Sequence, residues 1–119
     1  MRYLFLLNRT VDALPEPGTA QAAEMFAAFM EVTEAMAKAG VLVDSAPLTP
    51  TAAATTVRVR GGQTLITDTP AAEIKEYLGG YTIAECAGLD EALRWAARIP
   101  AASDASVEVR PIVAARPPT

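Results

Sequence analysis

The chain has 119 residues, ten basic and fourteen acidic, for a formal charge of −4; half are apolar and few are aromatic. That length corresponds to one domain, able to bury about two-thirds of its unfolded surface without disulfide or metal staples. The acidic balance excludes a nucleic-acid partner, because no basic stripe exists to neutralise phosphates: Arg58 with Arg60 and Arg94 with Arg98 are isolated pairs. The single Cys86 has no internal partner, which fits a reducing compartment and predicts a cytoplasmic protein.

The first apolar run, Met1 to Leu7, stops at Asn8-Arg9. It is too short to span a membrane and at the lower limit for a signal segment, so it reads as a strand, apolar on both faces and covered on each side. A loop with Pro15, Pro17 and Gly18 follows. Thr19 can cap a helix running to about Ala39, with Gly40 as its left-handed exit. Ala22, Phe26, Phe29, Met30, Thr33 and Met36 share one face of that helix; Gln21, Glu24, Glu31 and Lys38 share the opposite one.

Val41-Leu42-Val43 and the short Pro47-Leu48-Thr49 lead into an excursion. Thr55 to Arg60 alternates, Gly61-Gly62 is a two-residue hairpin signal, and Gln63 to Thr67 returns as the partner strand. Asp68 to Leu78 reads as a polar loop or short helical turn beginning at Pro70, and Gly80 to Cys86 as a strand. A second helix is expected from Leu89 to Ile99, ended by Pro100, with Leu89, Ala92, Leu93 and Ala96 inward. Residues 106 to 110 alternate as a last strand with Val107 and Val109 on the core face. The domain is expected over 1–113, with 114–119 a loose tail. The plan is α+β, a ferredoxin-like βαββαβ with an inserted hairpin and two helices on one face of an antiparallel sheet.

Histidine is absent. That removes the commonest general base near neutral pH, every Ser-His or Cys-His nucleophile, and most zinc sites. No metal and no cofactor is expected, since phosphate-loop, dinucleotide, calcium-loop and zinc-ligand spacings are all missing. Arg58 and Arg60 point to one side of a strand and could hold a carboxylate or phosphate, or simply solvate an exposed face. Tyr81 follows Gly79-Gly80, where the backbone can approach closely, and also reads as a core tyrosine with a satisfied hydroxyl. Asn8 and Arg9 end the first strand at what would be the rim of a cleft. Cys86, in an apolar strand, reads as inert.

The order of segments from Val57 to Val109 resembles the DGPF branch of the YCII-related proteins. The family pattern Asp-Gly-Pro-Phe then Glu-x-Lys-Glu is matched by Asp68, Pro70, Glu73, Lys75 and Glu76, whereas Thr69 and Ala71 depart from it. The resemblance implies a ferredoxin-like fold and a homodimer whose uncovered sheet faces pair into an α/β barrel. In the wider family the proposed catalytic pair is a histidine near the first helix and an aspartate after a Gly-Pro-Leu turn. The corresponding turn is Ala46-Pro47-Leu48, followed by Thr49-Pro50, so both members are missing.

Two functions remain open. One is a small-molecule-binding, accessory or regulatory module, linked to a sigma factor as genes of the DGPF branch often are. Its binding residues would be Arg58, Glu76, Tyr81 and Asn8. The other is a lyase or isomerase acting on a small organic acid, with Asp68 or Glu73 as base and Lys75 or Arg58 holding the anion. The same loop also reads as an Asx-type turn or cap, with Glu73 and Lys75 on its solvated surface.

Overall fold

Alternation in the first segment decides the layering. In the computed structural model, which describes residues 1–10, 15–67 and 76–114, β1 (Arg2–Thr10) buries Tyr3, Phe5 and Leu7 on one side. Leu4, Leu6 and Asn8 are half-buried on the other. Within the protomer the helices cover one face of this strand, and leucines on the other conceal the period-two pattern.

Helix α1 (Ala20–Lys38) begins where Thr19 Oγ1 accepts from the Ala22 amide at 3.2 Å and ends before Gly40, whose φ is +76°. Its second half packs on the sheet through Phe29, Val32 and Met36. Val32 was not on the expected core face, and Phe26, which was, is 57% exposed. The packed stripe is narrower than the apolar one, leaving the first half of the helix to line a cleft.

Strand β2 (Leu42–Pro47) precedes a 3-10 turn at Thr51–Ala53. Strands β3 (Thr56–Arg60) and β4 (Gln63–Thr67) then form the expected hairpin, closed by Gly61 and Gly62 at φ +57° and +80°. The chain continues as β5 (Glu76–Glu85), α2 (Leu89–Ala96), α3 (Ala101–Asp104) and β6 (Ser106–Pro111). The main sheet has the order β2-β5-β1-β6 with every pair antiparallel, and the hairpin is a separate two-stranded sheet. This is the α+β, ferredoxin-like arrangement with a hairpin inserted between β2 and β5. One core cluster joins Tyr3, Phe5 and Leu7 to residues of α1, α2 and α3, so the helices share one face of the sheet.

Two boundaries differ from the sequence reading. β5 starts at Glu76, because Gly79 is a bulge within the strand and not its beginning: the register with β1 shifts between Leu7 and Asn8. The second helix stops at Ala96, and Pro100 opens the short α3, its fixed φ suiting the first turn. Leu89 and Leu93 do not point inward; they are 49% and 46% exposed, while the smaller Ala92 and Ala96 meet the sheet with Ile99. Alanines let this short helix approach closely, which turns its leucines to the margin. The segment 68–75 and the tail from 115 lie outside the described residues.

Close approach is tightest at Gly80, where an added Cβ would sit 2.9 Å from the Ala46 carbonyl oxygen and 3.3 Å from Pro47 Cα. Both are backbone atoms. Gly80→Ala should therefore lower stability by about 1–3 kcal/mol in a urea melt. Gly79→Ala meets only the Arg9 side chain, at 3.0 Å, which can swing aside, so its loss should be the smaller of the two.

Candidate functional site

On β1 the core-facing series Tyr3, Phe5, Leu7 continues to Arg9, which pairs with Tyr77 on β5. A charged residue in the phase of the core needs a reason. Here the overhanging half of α1 leaves a cleft of about 410 Å³ between helix and sheet. Leu7, Arg9, Tyr77, Gly79 and Gly80 form its sheet wall, and Ala22, Met25, Phe26 and Phe29 its helix wall. Pro15, Pro17, Pro47, Leu48 and Pro50 close the ends. Four prolines make a stiff rim that offers no backbone N–H. The Leu48 amide donates to the Gly79 carbonyl at 2.9 Å, tying the exit of β2 to the bulge.

The polar content of the cleft is small. Arg9 is held between helices: Nη1 donates to the Met25 thioether sulfur at 2.9 Å and lies 3.6 Å from Asp104 Oδ2. Its side chain is only 18% exposed. A guanidinium has five N–H donors and a thioether is a weak acceptor, so the contacts Arg9 makes among the described residues use few of them. Tyr77 is buried, its phenol pushed above the ordinary value by desolvation and partly drawn back by Arg9. It remains a neutral hydroxyl donor near pH 7. Among the described lining residues there is no carboxylate.

The site residues expected from the sequence lie elsewhere. Asn8 and Glu76 are brought together on the open face of the sheet: Asn8 Nδ2 donates to Ser106 Oγ at 3.2 Å, and the Ser106 hydroxyl donates to Glu76 Oε2 at 3.2 Å. Tyr81 is on that face too, donating to Asp44 Oδ2 at 2.7 Å; this bond raises its pKa. Arg58 is on β3 of the hairpin. None of these four lines the cleft. Asp68, Glu73 and Lys75 fall outside the described residues. Cys86 is buried, and burial pushes its thiol up, with Glu91 adding to the shift. No group of three or more metal-ligating side chains occurs among the described residues, nor a helix long and apolar enough to cross a membrane.

An antiparallel ferredoxin-like sheet with a helix-side cleft and an inserted hairpin defines the class of protein. The chain belongs to the YCII-related family, whose model matches residues 1–116. It is similar to an uncharacterized protein of Rhizobium meliloti (strain 1021), 45% identical over 82 residues that cover 67% of this chain and 66% of that protein. Among solved structures it is similar to 5-chloro-2-hydroxyhydroquinone dehydrochlorinase from Burkholderia phenoliruptrix AC1100, determined with 2,5-dihydroxybenzoquinone. That likeness covers 94% of this chain and 93% of the other, at 19% identity and a TM-score of 0.48.

The Tyr77 phenol has a testable titration. Its folded pKa lies above the ordinary 10.0, so the folded state holds the proton longer than the unfolded chain. The associated stability is present below pH 10 and is lost as pH rises through the folded value. Arg9→Met removes the opposing charge and should move Tyr77 higher still. Alkaline absorbance titration, with Tyr77→Phe to assign the signal, should show the upward shift; an unchanged curve would separate the two groups.

Proposed function

We propose that the protein binds a small, largely apolar organic anion in the cleft between α1 and the sheet, as an accessory or regulatory module of the cytoplasm. The observation that carries this reading is Arg9: a mostly buried cation in an apolar cleft, with one sulfur hydrogen bond and one loose ion pair among the described residues. Burying such a charge is costly without a partner, and an anionic ligand supplies one. Tyr77 adds a neutral donor beside it. Apolar walls with a few convergent donors are the usual makeup of a ligand site of this size.

The family resemblance supports the location. The turn that would carry the family's aspartate is Ala46-Pro47-Leu48, and Pro47, Leu48 and Pro50 line this cleft. With histidine absent and Thr49-Pro50 following the turn in place of an aspartate, the same place has binding walls but not the acid–base pair. A sigma-factor-linked role follows from the resemblance of Asp68 to Glu76 to the DGPF branch.

An enzymatic reading has one observation in its favour. Residues 68–75 lead directly into Glu76 and Tyr77, and Tyr77 is a cleft wall. If that segment supplies Asp68 or Glu73 as a base, with Lys75 holding the anion, a lyase or isomerase would result. Asp68→Asn would then abolish turnover or ligand response with little effect on stability. In a turn or cap role Asp68→Asn is silent, and Asp68→Ala costs about 0.5–2 kcal/mol.

Benzoate and short-chain carboxylates are the probes for the favoured reading. Saturating ligand should raise the melting temperature, by the equivalent of about 2.7 kcal/mol at a hundred times Kd. Arg9→Met should weaken the response roughly tenfold or more, the loss of a charged hydrogen bond. A panel without any shift, or a shift indifferent to Arg9, would refute it.

We further propose a homodimer formed through the open sheet face, where Leu4, Leu6, Tyr81 and Ile83 are only half-buried and Leu78 is 40% exposed. Light scattering at micromolar concentration should give twice the chain mass. A monomer mass would overturn it.

A further inference from the structure

A glycine inside a strand weakens it and calls for a reason. Gly80 has one in the backbone of Ala46 and Pro47 beside it. Gly79 does not share that reason, and its φ is not among the left-handed ones, so neither the bulge nor the backbone requires glycine there. Beyond its chain neighbours, an added Cβ would first meet the side chain of Arg9. It would lie 3.0 Å from both Cγ and Cδ and 3.2 Å from Nε.

We infer that Gly79 is a positioning residue: the space of its missing side chain is the lane along which the Arg9 stem crosses β5 to bring its guanidinium to the cleft. The inference rests on the anion-binding reading and names the residue that sets its cation in place.

Both ends of the arrangement are fixed. The Gly79 carbonyl accepts from the Leu48 amide at 2.9 Å, which ties the floor of the lane to the exit of β2. Added atoms would therefore displace the stem and not the strand. At the far end Arg9 Nη1 donates to Met25 Sδ at 2.9 Å on α1 and lies 3.6 Å from Asp104 Oδ2 on α3. A stem held at its middle and its tip is already ordered, which lowers the entropy an anion would lose by immobilising it. Arg9 and Gly79 both line the cleft, so a shift of the stem moves the charge within the site itself.

Gly79→Val, Arg9→Met and the double variant test this, read by alkaline titration of Tyr77 and by the thermal shift with benzoate. Valine suits a strand, and its branches fill the lane. The Arg9 charge opposes the upward shift of the Tyr77 phenol. Gly79→Val should therefore raise the Tyr77 titration toward that of Arg9→Met, and weaken the benzoate response roughly tenfold or more. In the Arg9→Met background the same change should add nothing to either readout, because the two residues act as one unit. Should Gly79→Val fail to fold, Gly79→Ala carries the same comparisons with smaller shifts. A folded variant with the wild-type Tyr77 titration would overturn the inference, as would an equal effect in the Arg9→Met background, the mark of simple crowding. A wild type indifferent to benzoate would remove the binding reading, and the Tyr77 titrations would still decide whether Gly79 places Arg9.

Discussion

The antiparallel β1–β5 ladder, interrupted at Gly79, is the constraint on which the other features depend. Up to the bulge, Leu7 faces Gly80 and the core; beyond it, Arg9 faces Tyr77 on that same side while Asn8 faces Leu78 on the other. An extra residue in one strand re-aims the side chains that follow. Here it keeps the Tyr77 side chain on the cleft side, opposite Arg9. The Gly80 backbone meets Ala46 and Pro47 so closely that β2 leaves the sheet at a fixed position, and the proline-rich rim follows from that exit.

Electrostatics then gives the two faces of the sheet different characters. On the helix side, one cation and one neutral phenol sit among apolar walls, a setting in which each charged contact is strong because water is scarce. On the open side, polar groups satisfy one another: Asn8 through Ser106 to Glu76, and Tyr81 to Asp44. Among the described residues, the hydrogen-bond partners of those groups lie within the protomer. Arg9, by contrast, meets a sulfur and a distant carboxylate among the described residues. This asymmetry in satisfaction is the reason to look for a ligand at Arg9 before looking at the residues with more familiar chemistry.

Much of the architecture was legible because local chemistry and tertiary structure agree. Thr19, Gly40 and the Gly61-Gly62 turn do what their residue types suggest, and the strand and helix order follows. The misreadings arise where close packing overrides side-chain size. In α2, alanines rather than leucines meet the sheet, and in β5 a glycine pair that looked like a boundary lies inside a strand. The cleft itself was illegible, since its walls come from four separated stretches of chain. Arg9 nevertheless had a signal: counting by twos from Tyr3 places it on the core face, where an unexplained charge marks a site. Asp68, Glu73 and Lys75 were singled out by motif, which carries no information on where their side chains point.

The chemistry of the cleft bears on what a YCII-related domain without histidine can do there. Catalysis by proton transfer needs a group of matched pKa within hydrogen-bonding reach of the substrate. Binding needs only walls, a charge and a donor. Histidine is absent and Thr49-Pro50 follow the turn, so the acid–base pair is missing, while Pro47 and Pro50 stiffen the rim and offer it no backbone N–H. The planar guanidinium of Arg9 is well suited to hold an anion. On these grounds binding is the more economical account of the cleft, and any catalytic role would have to come from carboxylates of the segment that enters β5.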